Sequence, residues 1–155
     1  MATADIAVST SDQMSLLTSV QVAAMSTAQV AALNTSSVSS LSTAVISSLS
    51  VNQIFALVTA QIAALTTDQV VALNSVQVAA MGGSQLKALT TDQVVAMEAS
   101  DVGSLNTTAL QSMTSDQAAA LTTEQVAGLT TNQASALTSV QLSALTTEQL
   151  LAMET

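Results

Sequence analysis

The sequence predicts an all-α solenoid built from very short helices, one for every eight residues, and three observations predict it. Leu or Met recurs every eight residues without a break, from Leu17, Met25 and Leu33 to Leu137, Leu145 and Met153. Each unit so defined carries a helix-start signature, Thr or Ser followed three residues later by Gln. Finally, apolar residues make up 49% of the 155 positions while charged residues make up 7%. Such a chain can bury a core, but its surface must be made of hydroxyls and amides.

We number each eight-residue unit, or octad, from 1 to 8 with the Leu or Met last, as in Thr66-Thr67-Asp68-Gln69-Val70-Val71-Ala72-Leu73. The whole chain, residues 1–155, reads as a single repeat array: 18 octads at 10–153 and a degenerate octad at 2–9 that keeps Asp5 and Ile6 in register. Position 8 is Leu or Met in all 18, and position 5 is a bulky aliphatic in 16, Ala118 and Ala134 being the exceptions. Position 7 is Ala, Ser or Gly everywhere except Leu16. Position 4 is Gln in 14 octads, replaced by Ser37, Val45, Asp101 and Ala109. Position 1 is Thr, Ser or Asn in 15, interrupted by Val58, Gly82 and Glu98. Position 6 varies most, among Ala, Ser, Val, Phe55, Lys87, Gln111 and Leu151, and is expected to face outward.

The eight-residue period decides what each octad becomes. In one continuous helix, eight residues overshoot two turns by roughly 80°, so the apolar stripe would spiral around the axis. Coiled coils use repeats of seven or eleven, and eight is neither. A helix restarted in every octad fits. Position 1 is then the N-cap, position 4 is the third helical residue, and the two form a capping box. The Leu or Met before the cap pairs with the aliphatic at position 5 as a hydrophobic staple. Six of the ten acids, Asp12, Asp68, Asp92, Asp116, Glu124 and Glu148, fall at position 3, in the first turn, where the helix dipole favours negative charge.

Such helices run for less than two turns and are marginal alone, since isolated helices below about 12 residues barely form in water. Only the stacked array folds, with positions 5 and 8 lining a continuous core and small position 7 letting successive backbones approach. The expected caps include Thr66 with Gln69, Thr90 with Gln93, Thr122 with Gln125, and Thr146 with Gln149. The expected core includes Val70, Leu73, Val94, Met97, Val126, Leu129, Leu142 and Leu145. Asp68, Asp92 and Asp116 are spaced by 24, as are Glu124 and Glu148; this suits three octads per coil, and it equally suits chance. A β-solenoid is the alternative, because Val and Thr form strands and an even period keeps alternation in phase. Against it, positions 5, 7 and 8 do not alternate, and four Gly with a few Asn supply few corner residues.

Composition also bears on function. The chain has no His and no Cys, which removes imidazole acid–base chemistry, thiolate nucleophiles, disulfides and the usual zinc ligands. A net charge of −9 with the single base Lys87 opposes nucleic-acid binding. Aromatics at 1% leave no stacking platform for bases. The expectation is therefore no enzyme, no cofactor, no metal site and no nucleic-acid partner. Methionines at position 8 stand where Leu stands elsewhere, as core filling, and position 3 acids without a clustered loop read as first-turn residues, not a calcium site. Gly82-Gly83 with Ser84-Gln85 reads as a cap variant, since the Lys and Ser/Thr of a phosphate loop do not follow. Hydroxyl and amide residues interrupt each apolar run well before 18, so no membrane span is expected. Thr-Thr pairs such as Thr66-Thr67, Thr90-Thr91 and Thr122-Thr123 admit a second reading, a hydroxyl-lined module for ice or another regular surface.

The first residues, MATADIAVSTSD, lack the basic and apolar segments of a secretory signal peptide. Neither end carries a polar capping repeat, so the array is expected either to be a segment of a longer one or to stack end to end on other copies. LTTDQVVAL at 65–73 and MATADIAV at the start resemble the tandem LTTxQVAAL and ETADIAAL octapeptide arrays of very long secreted or surface-associated bacterial proteins, adhesin-like or filament-forming. The resemblance spans essentially the whole chain. It implies a structural role, as a rigid stalk or a self-assembling filament, located outside the cell or on its surface, with other copies or neighbouring repeats as partners. LTTEQVAGL at 121–129 also resembles the helix start of DNA-reading 34-residue repeats, but the period and the base-reading loop are absent.

Overall fold

The computed structural model describes residues 10–153; the degenerate octad at 2–9 lies outside them. Every octad from 10 to 153 contains one helix of five or six residues, the first Ser11–Ser15 and the last Thr147–Ala152, and there is no strand among the described residues. The β-solenoid alternative is thereby set aside, and the all-α solenoid stands.

Each helix starts where the capping box places it. In Thr67–Val71 the Thr66 side chain accepts from the Gln69 N–H at 3.2 Å, while the Thr66 N–H donates to Gln69 Oε1 at 2.9 Å. The three caps that break the Thr/Ser/Asn pattern, Val58, Gly82 and Glu98, make no side-chain cap bond. Helix ends tighten: the position 5 N–H bonds four residues back, as Val70 to Thr66 O, whereas the position 8 N–H bonds three back, as Leu73 to Val70 O. This 3₁₀-like closure cuts the helix off.

The corner that follows needs no left-handed residue. At Leu89 and then Thr90 the backbone is extended, with φ −61, ψ 141 and φ −73, ψ 162, angles open to any residue. No described residue has a positive φ. Corners of this kind account for an array described from 10 to 153 in a chain with four Gly and no Pro.

The corners wrap the helices into a coil whose pitch is set by two contacts. Helices pack on helices three octads away, as Ser11–Ser15 on Thr35–Ser40 and Ala99–Ser104 on Thr123–Ala127. Glutamines reach back to the octad four earlier, as Gln125 to Val94 and Met97. The helix contacts repeat every three octads, the coil that the 24-residue spacing of the acids suited.

Positions 5 and 8 fill the interior. Val70, Leu73, Val94, Met97, Val126 and Leu145 are buried, and Leu129 is half-buried against the same core. Leu142 corrects the expectation: it is 38% exposed, because no described coil follows to cover position 5 there. Position 6 faces outward in most octads, including Phe55, Val71, Lys87 and Val95, and the position 3 acids are exposed.

Candidate functional site, a glutamine ladder between coils

The feature repeated along much of the described array is not a pocket but a line of amides. Position 4 was expected only to cap its own helix, yet its glutamine is buried from Gln53 onward, at 1–6% exposure. Burial of a primary amide demands partners for one carbonyl and two N–H bonds. The octad and its neighbour supply all of them. Oε1 of Gln125 accepts the N–H of its cap Thr122 at 2.9 Å, while Nε2 donates to Val94 O at 2.8 Å and Met97 O at 2.7 Å, residues of the octad four earlier.

The same pattern recurs at Gln69, whose Nε2 donates to Val38 O at 2.9 Å and Leu41 O at 2.7 Å, and at Gln93, which donates to Ile62 O at 3.1 Å and Leu65 O at 2.6 Å. Gln149 donates to Ala119 O and Leu121 O. The cap partners Thr66, Thr90, Thr122 and Thr146 each accept from their glutamine N–H at 3.1–3.2 Å. One side chain thus completes a helix start and ties that helix to the end of another 28 to 31 residues earlier. The position 8 carbonyl is the orphan acceptor of a helix C-terminus, and a glutamine from the following coil satisfies it.

A signal for this was present in the sequence. A capping box works with Glu or Gln, because only an acceptor is needed. Among 18 octads position 4 is Gln 14 times and Glu never. That exclusion asks for a donor as well, and a donor at a buried position asks for a second chain segment.

Sterics complete the contact. Position 7 of one octad meets position 2 of the octad three earlier, 29 residues back: Ser104 Oγ donates to Ser75 O at 3.1 Å, and a Cβ added to Gly83 would lie 2.9 Å from Ser112 Cβ. A Cβ on Gly128 would lie 3.2 Å from Ala99 O. Nothing larger than Ala or Ser fits, which is the physical content of the small residue at position 7.

With this register established, the comparison with known proteins is direct, since the tandem motif spans positions 7 to 4 of successive octads. The ALTTAQ repeat family matches residues 43–75, 67–99 and 94–131. The chain belongs to the ALTTAQ repeat family. Ala64-Leu65-Thr66-Thr67-Asp68-Gln69 and Ala120-Leu121-Thr122-Thr123-Glu124-Gln125 are such repeats, and each family match spans about four octads, a little more than one coil. No curated protein and no solved structure matches the chain. Among the described residues no helix of the ALTTAQ array is long and apolar enough to cross a membrane.

Proposed function

We propose that this ALTTAQ repeat array is a non-catalytic structural element: a rigid, self-associating rod that serves as the stalk of a bacterial surface protein or as the subunit of an extracellular filament. The observation that carries it is the glutamine ladder, which repeats one coil-to-coil bond set along the molecule. Because every bonded coil meets the next through the same atoms, bending at one place costs as much as at any other regular place, and the array is stiff along its axis. The placement outside the cell rests on the resemblance of LTTDQVVAL at 65–73 to the arrays of secreted and surface-associated bacterial proteins.

Purified chain viewed by negative-stain microscopy, with light scattering over a range of concentrations, tests this reading. Straight particles of constant width whose length and mass grow with concentration are expected. Compact particles of one-chain mass at every concentration would remove the self-associating rod.

A further inference from the structure

From Gln53 to Gln149 every octad ties itself to an earlier coil through a position 4 amide except two, and these two are neighbours, at Asp101 and Ala109. Ser37 and Val45, the other departures from Gln, are also adjacent, but the carbonyls a donor at Ser37 would reach lie outside the described residues. Because helix contacts repeat every three octads, 90–97, 98–105 and 106–113 form the three sides of one coil, and 114–121 returns to the side of 90–97. Adjacent interruptions therefore fall on two sides of one coil and spare the third.

The three sides differ in what joins them to the coil before. On the spared side, Gln93 donates to Ile62 O and Leu65 O, and Gln117 donates to Leu86 O at 2.9 Å and Leu89 O at 2.7 Å. The side of 98–105 keeps two serine bonds, from Ser75 Oγ to Asp101 and from Ser104 Oγ to Ser75 O. On the side of 106–113 no hydrogen bond among the described residues reaches an earlier coil; Ser112 bonds within its own helix, to Thr108 O, and Gln111 bonds forward, to Ala136 O at 2.9 Å. A groove of ≈ 410 Å³ runs along this side, with Gly83, Ser84 and Lys87 on one wall and Gln111 and Ser112 on the other. What remains there is apolar contact, through the buried Val102, Leu105, Leu110 and Met113. Apolar contact has no preferred direction and tolerates a small tilt, whereas a hydrogen bond weakens steeply once its angle is lost.

We infer that this coil is a one-sided hinge: the array bends by opening between 74–89 and 98–113, and it pivots on the side held by Gln93 and Gln117. The rod is stiff where all three sides carry rungs and yields here in one direction. This goes beyond the rod reading and does not depend on self-association.

The chain has no cysteine, so pairs of spin labels report the bend, with labelled chain diluted in unlabelled chain to remove contacts between copies. Ala60→Cys with Asn132→Cys places labels at exposed position 3 on the side of 106–113, and Asp68→Cys with Val140→Cys does the same on the side of 114–121. Each pair is nine octads apart and spans the interrupted coil. Double electron–electron resonance is expected to give a broad 60–132 distribution with a tail to longer separations, and a narrow 68–140 distribution. Asp101→Gln together with Ala109→Gln supplies both missing rungs and should narrow the first to the width of the second, with far-UV circular dichroism checking that the repaired chain folds. Gln117→Ala, which removes the pivot rung, should broaden the 68–140 distribution and decides the matter if the repaired chain does not fold. Equal widths for the two pairs in the original chain, breadth that survives the repair in a folded chain, or a 68–140 distribution unmoved by Gln117→Ala overturns the hinge. Self-association, read by light scattering of the unlabelled chain, stands or falls separately.

Discussion

Octad 122–129 and octad 98–105 occupy equivalent places one coil apart and are held in different ways. In the first, Thr122 caps, Gln125 accepts the cap N–H and Nε2 ties the helix to Val94 O and Met97 O. In the second, Glu98 makes no side-chain cap bond, and Asp101 stands in place of the glutamine, only 3% exposed. A carboxylate accepts and cannot donate, so the carbonyls of Val70 and Leu73 lose their amide. Asp101 turns instead to the octad three earlier, where its Oδ1 accepts from Ser75 Oγ at 2.6 Å, and Ser104 Oγ adds a bond to Ser75 O. Octad 106–113 continues the interruption, since Ala109 has no polar side-chain atom to offer Val78 O and Met81 O. The helix forms in all of these octads. What fails is the bond to the coil before, which separates the local role of position 4 from its long-range one.

Breaking a regular rung should have the largest effect. Gln125→Ala removes the cap acceptor and leaves Val94 O and Met97 O buried with one partner fewer. At about 1–3 kcal/mol for each buried group left unmatched, a loss of roughly 2–4 kcal/mol is expected, read as a lowered midpoint in urea unfolding. Ala109→Gly, a change at a place with no rung, supplies the contrast: it is expected to cost only the helix propensity difference of about 1 kcal/mol. Equal losses at the two sites would mean that the ladder contributes nothing beyond local helix stability.

The reverse experiment repairs the interruption. Asp101→Gln restores a donor to Val70 O and Leu73 O and forfeits the bond from Ser75 Oγ. The exchange of one bond for two, with the cap N–H of Glu98 regained, is expected to stabilise by about 1–2 kcal/mol. Hydrogen exchange gives it a local signature. Amides of residues 66–73 and 98–105 should exchange faster than those of 90–97 and 122–129 in the original chain, since local opening follows the weakest contacts, and the difference should shrink in the variant. A destabilised variant with unchanged exchange would show that the Ser75–Asp101–Ser104 network is an equal substitute for the rung.

How far the sequence disclosed this molecule follows from which forces are local. Caps, helix starts and corners are legible because Thr66 and Gln69 are three residues apart and the signature is complete within one octad. The core at positions 5 and 8 is legible from period alone, as Val94 and Met97 illustrate. Leu142 was misplaced because its burial depends on a later coil and not on its own octad. The coil of three octads was hinted at only by the 24-residue spacing of a few acids, and the ladder was hidden, since the partners of Gln69 lie 28 and 31 residues back, at Leu41 and Val38, and every octad offers the same carbonyls. A uniform repeat hides its own register. Only the preference for Gln over Glu marked position 4 as more than a cap.

The smallest expected effect isolates that local half of the role. Glu98→Thr installs the missing cap in octad 98–105 without touching Asp101, so it adds a side-chain acceptor for the Asp101 N–H and nothing between coils. N-cap replacements of this kind are worth about 0.5–2 kcal/mol, and an acid at a cap already gains something from the helix dipole, so a gain of about 0.5 kcal/mol is expected. Combined with Asp101→Gln, the gain should exceed the sum of the two single changes, because a capping box needs both members at once and neighbouring sites couple. Strict additivity in urea midpoints would instead mean that cap and rung act as separate devices, even though one glutamine side chain supplies both in the regular octads.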